Sequence, residues 1–92
     1  MRVEIYTELG CPYSRVAKEV LDEEGITYDE LDVTDDPARR AEMVRRAGGR
    51  TTVPQLFFGG RHVGGYDDLL EVEGSRGVRA LLVERDGDAA AR

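Results

Sequence analysis

Residues 2–33 constrain the fold most, because a hydrophobic period of two gives way there to a helical period and then returns. Arg2 to Thr7 alternates, which places Val3 and Ile5 on one face of a strand, and Leu9-Gly10 breaks the pattern. Pro12 suits the first position of a helix. Val16, Ala17, Val20 and Leu21 recur at helical spacing along it, while Lys18, Glu19, Asp22 and Glu23 face away. Gly25 closes this helix as a left-handed cap, and Ile26 to Val33 is β-branched and aromatic enough for a second strand. Strand, helix, strand at this spacing predicts a right-handed parallel crossover.

Asp36-Pro37 is an N-cap followed by a first-turn proline, and it opens a helix through Ala41, Val44 and Ala47 that stops at Gly48-Gly49. Gln55 to Phe58, Gly59-Gly60 and Arg61 to Val63 form an antiparallel hairpin, since paired glycines supply the positive φ angles of a two-residue turn. Asp67 and Asp68 favour the start of a third helix through Leu69, Leu70 and Val72, with Gly74 as its stop. Val78, Leu81 and Leu82 mark a last helix before an alanine-rich tail. The order β-α-β-α-β-β-α-α predicts an α/β protein with a mixed four-stranded sheet and helices on both faces. Ninety-two residues, with no internal repeat and no low-complexity linker, predict one domain spanning 1–92.

A net charge of −6 repels phosphate backbones and anionic lipid surfaces, so neither nucleic acid nor a membrane is an expected partner. One cysteine, Cys11, permits no internal disulfide and no cysteine-rich metal site, which fits a reducing, cytoplasmic compartment; no metal ligand is expected. The charged, alternating N-terminus lacks the basic segment and apolar run of a signal peptide, and no apolar run reaches membrane-spanning length.

The chemistry points to Gly10-Cys11-Pro12-Tyr13-Ser14, at a strand-to-helix junction where the amides of the new helix face the sulfur. Such a position favours the thiolate, the nucleophile of disulfide exchange. A buried structural thiol is the competing reading, because free cysteine is among the most buried residue types. On local sequence alone Val53-Pro54 reads as an ordinary start of a strand, Tyr13 as a rim aromatic, Asp67 as a helix-start residue and His62 as a hairpin side chain. Arg39, Arg40, Arg45, Arg46 and Arg50 read most simply as a solvated face.

Taken in order, Ile5-Tyr6-Thr7, Cys11-Pro12-Tyr13, Arg50-Thr51-Thr52-Val53-Pro54-Gln55 and Gly64-Gly65-Tyr66-Asp67-Asp68 resemble a bacterial glutaredoxin over nearly the whole chain except its acidic tail. The resemblance implies a thioredoxin-like fold and a glutathione-dependent thiol-disulfide oxidoreductase. It implies Cys11 as the catalytic nucleophile. It implies a glutathione site made by Cys11, Pro12, Tyr13, Thr52, Val53, Pro54, Gly65, Tyr66 and Asp67. In that site a cis proline, Pro54, follows the backbone that pairs with the cysteinyl part of the ligand. Tyr13 flanks the groove, and Asp67 engages the γ-glutamyl amino group. One or more of the arginines takes the glycyl carboxylate.

Three positions depart from the family pattern. Ser14 stands where dithiol members have a second cysteine, which leaves a monothiol route to deglutathionylation through Cys11, with Ser14 as a hydrogen-bond donor to the thiolate. Glu8 stands where the family commonly has a lysine, and a carboxylate aimed at the site opposes both thiolate and ligand. Tyr66 replaces a smaller residue and either narrows the groove or adds a stacking surface. The expected cosubstrate is glutathione, and the expected partners are glutathionylated proteins and glutathione reductase, with the protein a monomer. The alternative is a dimeric [2Fe-2S] carrier in which two copies of Cys11 and two glutathiones supply four thiolates. A further alternative is a weakened thioredoxin-fold module that serves a larger reductase.

Overall fold

The computed structural model describes residues 1–82. Its elements are β1 (Val3–Thr7), α1 (Pro12–Glu23), β2 (Asp29–Asp32), α2 (Pro37–Arg46), β3 (Gln55–Phe58), β4 (Arg61–Gly64) and α3 (Tyr66–Ser75). The sheet order is β2-β1-β3-β4, with β1 parallel to β2 and antiparallel to β3, and β3 antiparallel to β4. This is the mixed four-stranded, thioredoxin-like sheet expected.

Alternation along the strands divides the core into two layers. Val3, Ile5, Leu56 and Phe58 point to one face, where Ala17 and Leu21 of α1 and Leu69 of α3 cover them. Tyr6 and Phe57 point to the other, against Met43 and Ala47 of α2 and its neighbourhood. Helices therefore cover both faces. Among the described residues no helix is long and apolar enough to cross a membrane.

Local chemistry ends the elements where the pattern predicts, with instructive exceptions. Pro12 and Pro37 lead their helices, and the Asp36 side chain accepts from the Arg39 N–H at 3.0 Å. At the end of α1, Gly25 has φ +71, and the amides of Gly25 and Ile26 donate to the carbonyls of Asp22 (3.0 Å) and Leu21 (2.9 Å). That is a Schellman motif, and it explains why β2 begins at Asp29 and not at Ile26: Ile26 belongs to the cap of the preceding helix. Gly59 and Gly60, at φ +60 and +82, make the predicted hairpin turn.

Two expectations are corrected. Gly74 does not stop α3, which continues to Ser75; the residue that takes the left-handed conformation is Gly77 at φ +83, whose N–H donates to the Val72 carbonyl at 2.9 Å. Nor are all the arginines of α2 on a solvated face. Arg46 turns inward over the Phe57 ring at 4.2 Å, pairs with Glu4 at 2.8 Å and donates to the Tyr6 hydroxyl at 2.7 Å. A guanidinium can cover an aromatic face and satisfy polar groups together, so α2 is clamped onto the sheet by the residue least expected to be inside. Val78 and Leu81 are buried in the first core layer with Leu82 packed against it, and residues 80–82 are helical, as expected of a last helix; the alanine-rich tail lies outside the described residues.

Candidate functional site

The site is built where β1 runs into α1. Cys11 is the N-cap of α1 in an extended conformation, its carbonyl accepting the first helical bond from the Arg15 N–H at 3.2 Å. The positive end of the helix dipole thus lies beside a half-exposed sulfur. Two further contacts hold the loop before it: the Cys11 N–H donates to the Glu8 carbonyl at 3.1 Å, and the Leu9 N–H donates to Thr34 Oγ1 at 2.8 Å.

The second wall comes from the chain entering β3. The Val53-Pro54 peptide is cis, and the Val53 carbonyl lies 3.9 Å from Cys11 Sγ. Beside this contact is a hollow of about 280 Å³. Tyr13, Thr52, Val53 and Pro54 line it, joined by Gly65, Tyr66 and Asp67 from the start of α3. The Tyr13 and Tyr66 rings stand with centroids 5.8 Å apart at 38°, so Tyr66 adds an aromatic surface to the groove. Cys11 and Pro12 border instead a larger hollow of about 420 Å³ on the Lys18 and Glu30 side of the thiol. The fold therefore brings the predicted residues to the two sides of one sulfur. The smaller hollow is the better match to a peptide ligand, since it combines a backbone edge, two aromatic rings and opposite charges.

Those charges are Asp67 and Arg50, which sequence reasoning left among a run of arginines. Arg50 lines the hollow and pairs with Asp68 at 3.0 Å. The same Asp68 oxygen accepts from the Gly65 N–H at 2.8 Å, capping α3. The amide and then Arg50 hold the Asp68 carboxyl below the usual carboxylate range. In the larger hollow Glu30 is also held low, chiefly by the Thr7 hydroxyl and then by Lys18.

Two of the departures have contacts of their own. Ser14 is buried and its Oγ accepts from the Glu8 N–H at 3.4 Å, whereas the thiol's contact is the Val53 carbonyl. Ser14 Oγ thus braces the preceding loop, and Ser14 and Cys11 border the same larger hollow. Glu8 pairs with Arg40 of α2 at 2.8 Å, so its carboxylate is neutralised and does not stand free beside the thiol. Arg40→Ala is accordingly expected to slow alkylation of Cys11 by roughly two- to threefold at low ionic strength, with the difference fading in added salt, because a half-exposed charge acts weakly and is screened. Equal alkylation rates at low salt would show that Glu8 has no reach to the sulfur.

Comparison with known proteins agrees with this geometry. The glutaredoxin family model matches residues 3–63. Glutaredoxin 3 of Escherichia coli K12 is 45% identical over 80 residues, covering 87% of this chain and 95% of the relative. A glutaredoxin of Pseudomonas aeruginosa is 45% identical over 80 residues, covering 87% and 94%. The solution structure of glutaredoxin from Brucella melitensis superposes with a TM-score of 0.78 at 45% identity, over 89% of this chain and 88% of that one. The buckwheat glutaredoxin-glutathione complex superposes with a TM-score of 0.77 at 26% identity, over 89% and 76%. A family match running from β1 through the thiol loop and the cis-proline loop into β4, with relatives aligned along nearly their full length, places this chain in the glutaredoxin family of glutathione-dependent thiol oxidoreductases.

Proposed function

We propose that this protein removes glutathione from glutathionylated proteins and small mixed disulfides by a monothiol route. The observation that carries the reading is Cys11 itself: it is the chain's single cysteine, set at a helix N-terminus beside a peptide-sized groove, with a buried serine at the position of a second thiol. The Cys11 thiolate attacks the glutathione sulfur of the mixed disulfide, the substrate's S–S bond breaks, and its thiolate leaves and takes up a proton. A second glutathione thiolate then attacks the glutathione sulfur bound to Cys11. This step releases glutathione disulfide and regenerates the Cys11 thiolate, so one free glutathione supplies the reducing equivalents that convert the mixed disulfide into substrate thiol and glutathione disulfide.

Ligand binding follows from the groove. The Thr52-Val53 backbone pairs with the cysteinyl part of glutathione in the manner of an added strand, and Pro54 fixes that edge. Asp67 meets the γ-glutamyl ammonium, Arg50 meets a carboxylate of the tripeptide, and Tyr13 and Tyr66 close over its apolar parts, with Gly65 leaving the approach open and Pro12 bordering the sulfur. The single thiol suits a reducing cytoplasm, where glutathione reductase and NADPH recycle the product, and the chain works as one monomeric domain.

The test is an NADPH-coupled assay on a glutathionylated substrate at varied glutathione concentrations. Turnover that rises with glutathione supports the reading. A colourless, folded but inactive protein overturns it in favour of the weakened module, and a brown dimer with feeble turnover moves the assignment to [2Fe-2S] binding. Ser14→Cys is expected to retain deglutathionylation and to gain reduction of protein disulfides, measured on a disulfide substrate that the parent protein leaves untouched. No gain would mean that position 14 cannot reach the Cys11 sulfur.

A further inference from the structure

We infer that His62 is a positioning residue for the ligand groove, acting through the buried amide of Gln55 to fix the backbone of Thr52. The inference rests on the glutathione-dependent reading above and deepens it. Gln55, the first residue of β3, is fully buried, and a buried amide requires a partner for each of its ends. Its Nε2 donates to the Thr52 carbonyl at 3.0 Å and to Thr52 Oγ1 at 3.2 Å, while its Oε1 lies 2.7 Å from His62 Nε2. An amide oxygen only accepts, so His62 must donate from Nε2, and that donation determines which way the amide faces. Without it the amide loses the partner that keeps its NH₂ end on Thr52.

The ring that makes this bond is itself held. His62 stacks on Phe57 with centroids 4.9 Å apart at 29°, Phe57 meets Tyr6 edge-on at 5.7 Å, and Arg46 covers its other neighbourhood. Burial, and then the nearby Arg50, push the His62 imidazole below its ordinary value, with Asp68 opposing, which suits a neutral ring that donates from one nitrogen. The relay therefore runs from β4 through β3 into the loop lining the groove: the sheet sets the ring, the ring sets the amide, and the amide sets the edge beside Cys11. A loop carrying a recognition edge has no ladder of its own, and this chain of contacts ties it to a rigid element.

The test compares His62→Phe, which keeps the stacking ring and removes the donor, with His62→Gln, whose amide nitrogen reaches the same place. In His62→Phe the KM for a glutathionylated substrate is expected to rise about 5- to 10-fold, the range for one buried hydrogen bond, with kcat at saturation changed less than about 2-fold. His62→Gln is expected to restore the parent KM. Should His62→Phe not fold, His62→Asn, too short to reach Gln55, replaces it in the same comparison. A parent-like KM in the donor-less variant overturns the inference, as do equal KM increases in that variant and in His62→Gln. Imidazole nitrogen NMR of the parent protein supplies a readout free of turnover: a proton on Nε2 is expected, and a proton on Nδ1 alone overturns the relay. If the parent protein itself shows no glutathione-dependent turnover, the functional reading fails and the inference falls with it; an active parent with an unchanged variant sinks the inference alone.

Discussion

Cys11→Ser is expected to bring glutathione-dependent turnover down to background, a loss on the order of 10³-fold or more, as removal of a covalent nucleophile does elsewhere. The loss is chemical and not structural. A serine hydroxyl is not ionised at neutral pH, forms no disulfide, and cannot carry the glutathionyl group between substrate and the second glutathione. The fold has no reason to suffer. Cys11 is the N-cap of α1, where serine is among the preferred residues, so the variant's Tm should equal or slightly exceed the parent's. Coupled-assay rates together with a thermal melt separate the two effects. Retained turnover in a stable Cys11→Ser protein would show that the nucleophile lies elsewhere, which the sequence hardly permits, because no other cysteine exists.

Gly64→Ala is expected to be strongly damaging at this buried glycine at the end of β4, costing about 2–4 kcal/mol of stability. Two independent penalties meet there. Gly64 has φ +122, a conformation that costs a residue with a side chain about 1–3 kcal/mol. A Cβ at this position would also stand 2.6 Å from Asp68 Cγ, so the carboxylate must leave the Gly65 N–H that it caps, at about 1 kcal/mol more. In a domain of this size each kcal/mol moves Tm by roughly 4–8 °C, so a drop of about 8–32 °C should be plain in a melt. Since Tyr66 and Asp67 open the same helix, weaker glutathione binding should accompany it.

Gly74→Ala is the natural control. Its Cβ would meet nothing within 4 Å, it lies inside α3, and it should stabilise by roughly 0.5–1 kcal/mol. A Gly64→Ala protein as stable as the parent would mean that Asp68 gives no useful cap. The difference between parent and variant should also depend on pH. The folded Asp68 carboxyl is depressed, so its contribution is fully present above the unfolded value of about 3.9 and fades as pH falls through the folded one. Below about pH 4 the part of the gap due to the cap should close, leaving the backbone strain.

Much of the fold was readable along the chain because the relevant physics is local. Alternation in Val3-Ile5 and Leu56-Phe58, prolines at helix starts, and glycines at Gly25 and Gly59-Gly60 are determined by neighbours a few residues apart. The exceptions are also local in origin but ambiguous: Ile26 is apolar enough for a strand and equally suited to close a Schellman motif, and only the bond to Leu21 decides between them. Gly74 and Gly77 each could have stopped α3, and burial of Val78 in the core layer selects the later one.

The sequence by itself determined the element order, the lone thiol at the head of a helix, the missing second cysteine and the motif set that marks the family. Tertiary structure alone decided which charges meet. Glu8 finds Arg40 across 32 residues, Arg46 turns in to Glu4 and Tyr6, Arg50 stands at the groove beside Asp68, and Gln55 links His62 to Thr52. A period of 2 or 3.6 says which face a side chain occupies, but not what the opposite layer presents to it. Long charged side chains reach several ångströms in any direction, so their partners are chosen by how the helices stack on the sheet, and that stacking is the sum of contacts distant in sequence.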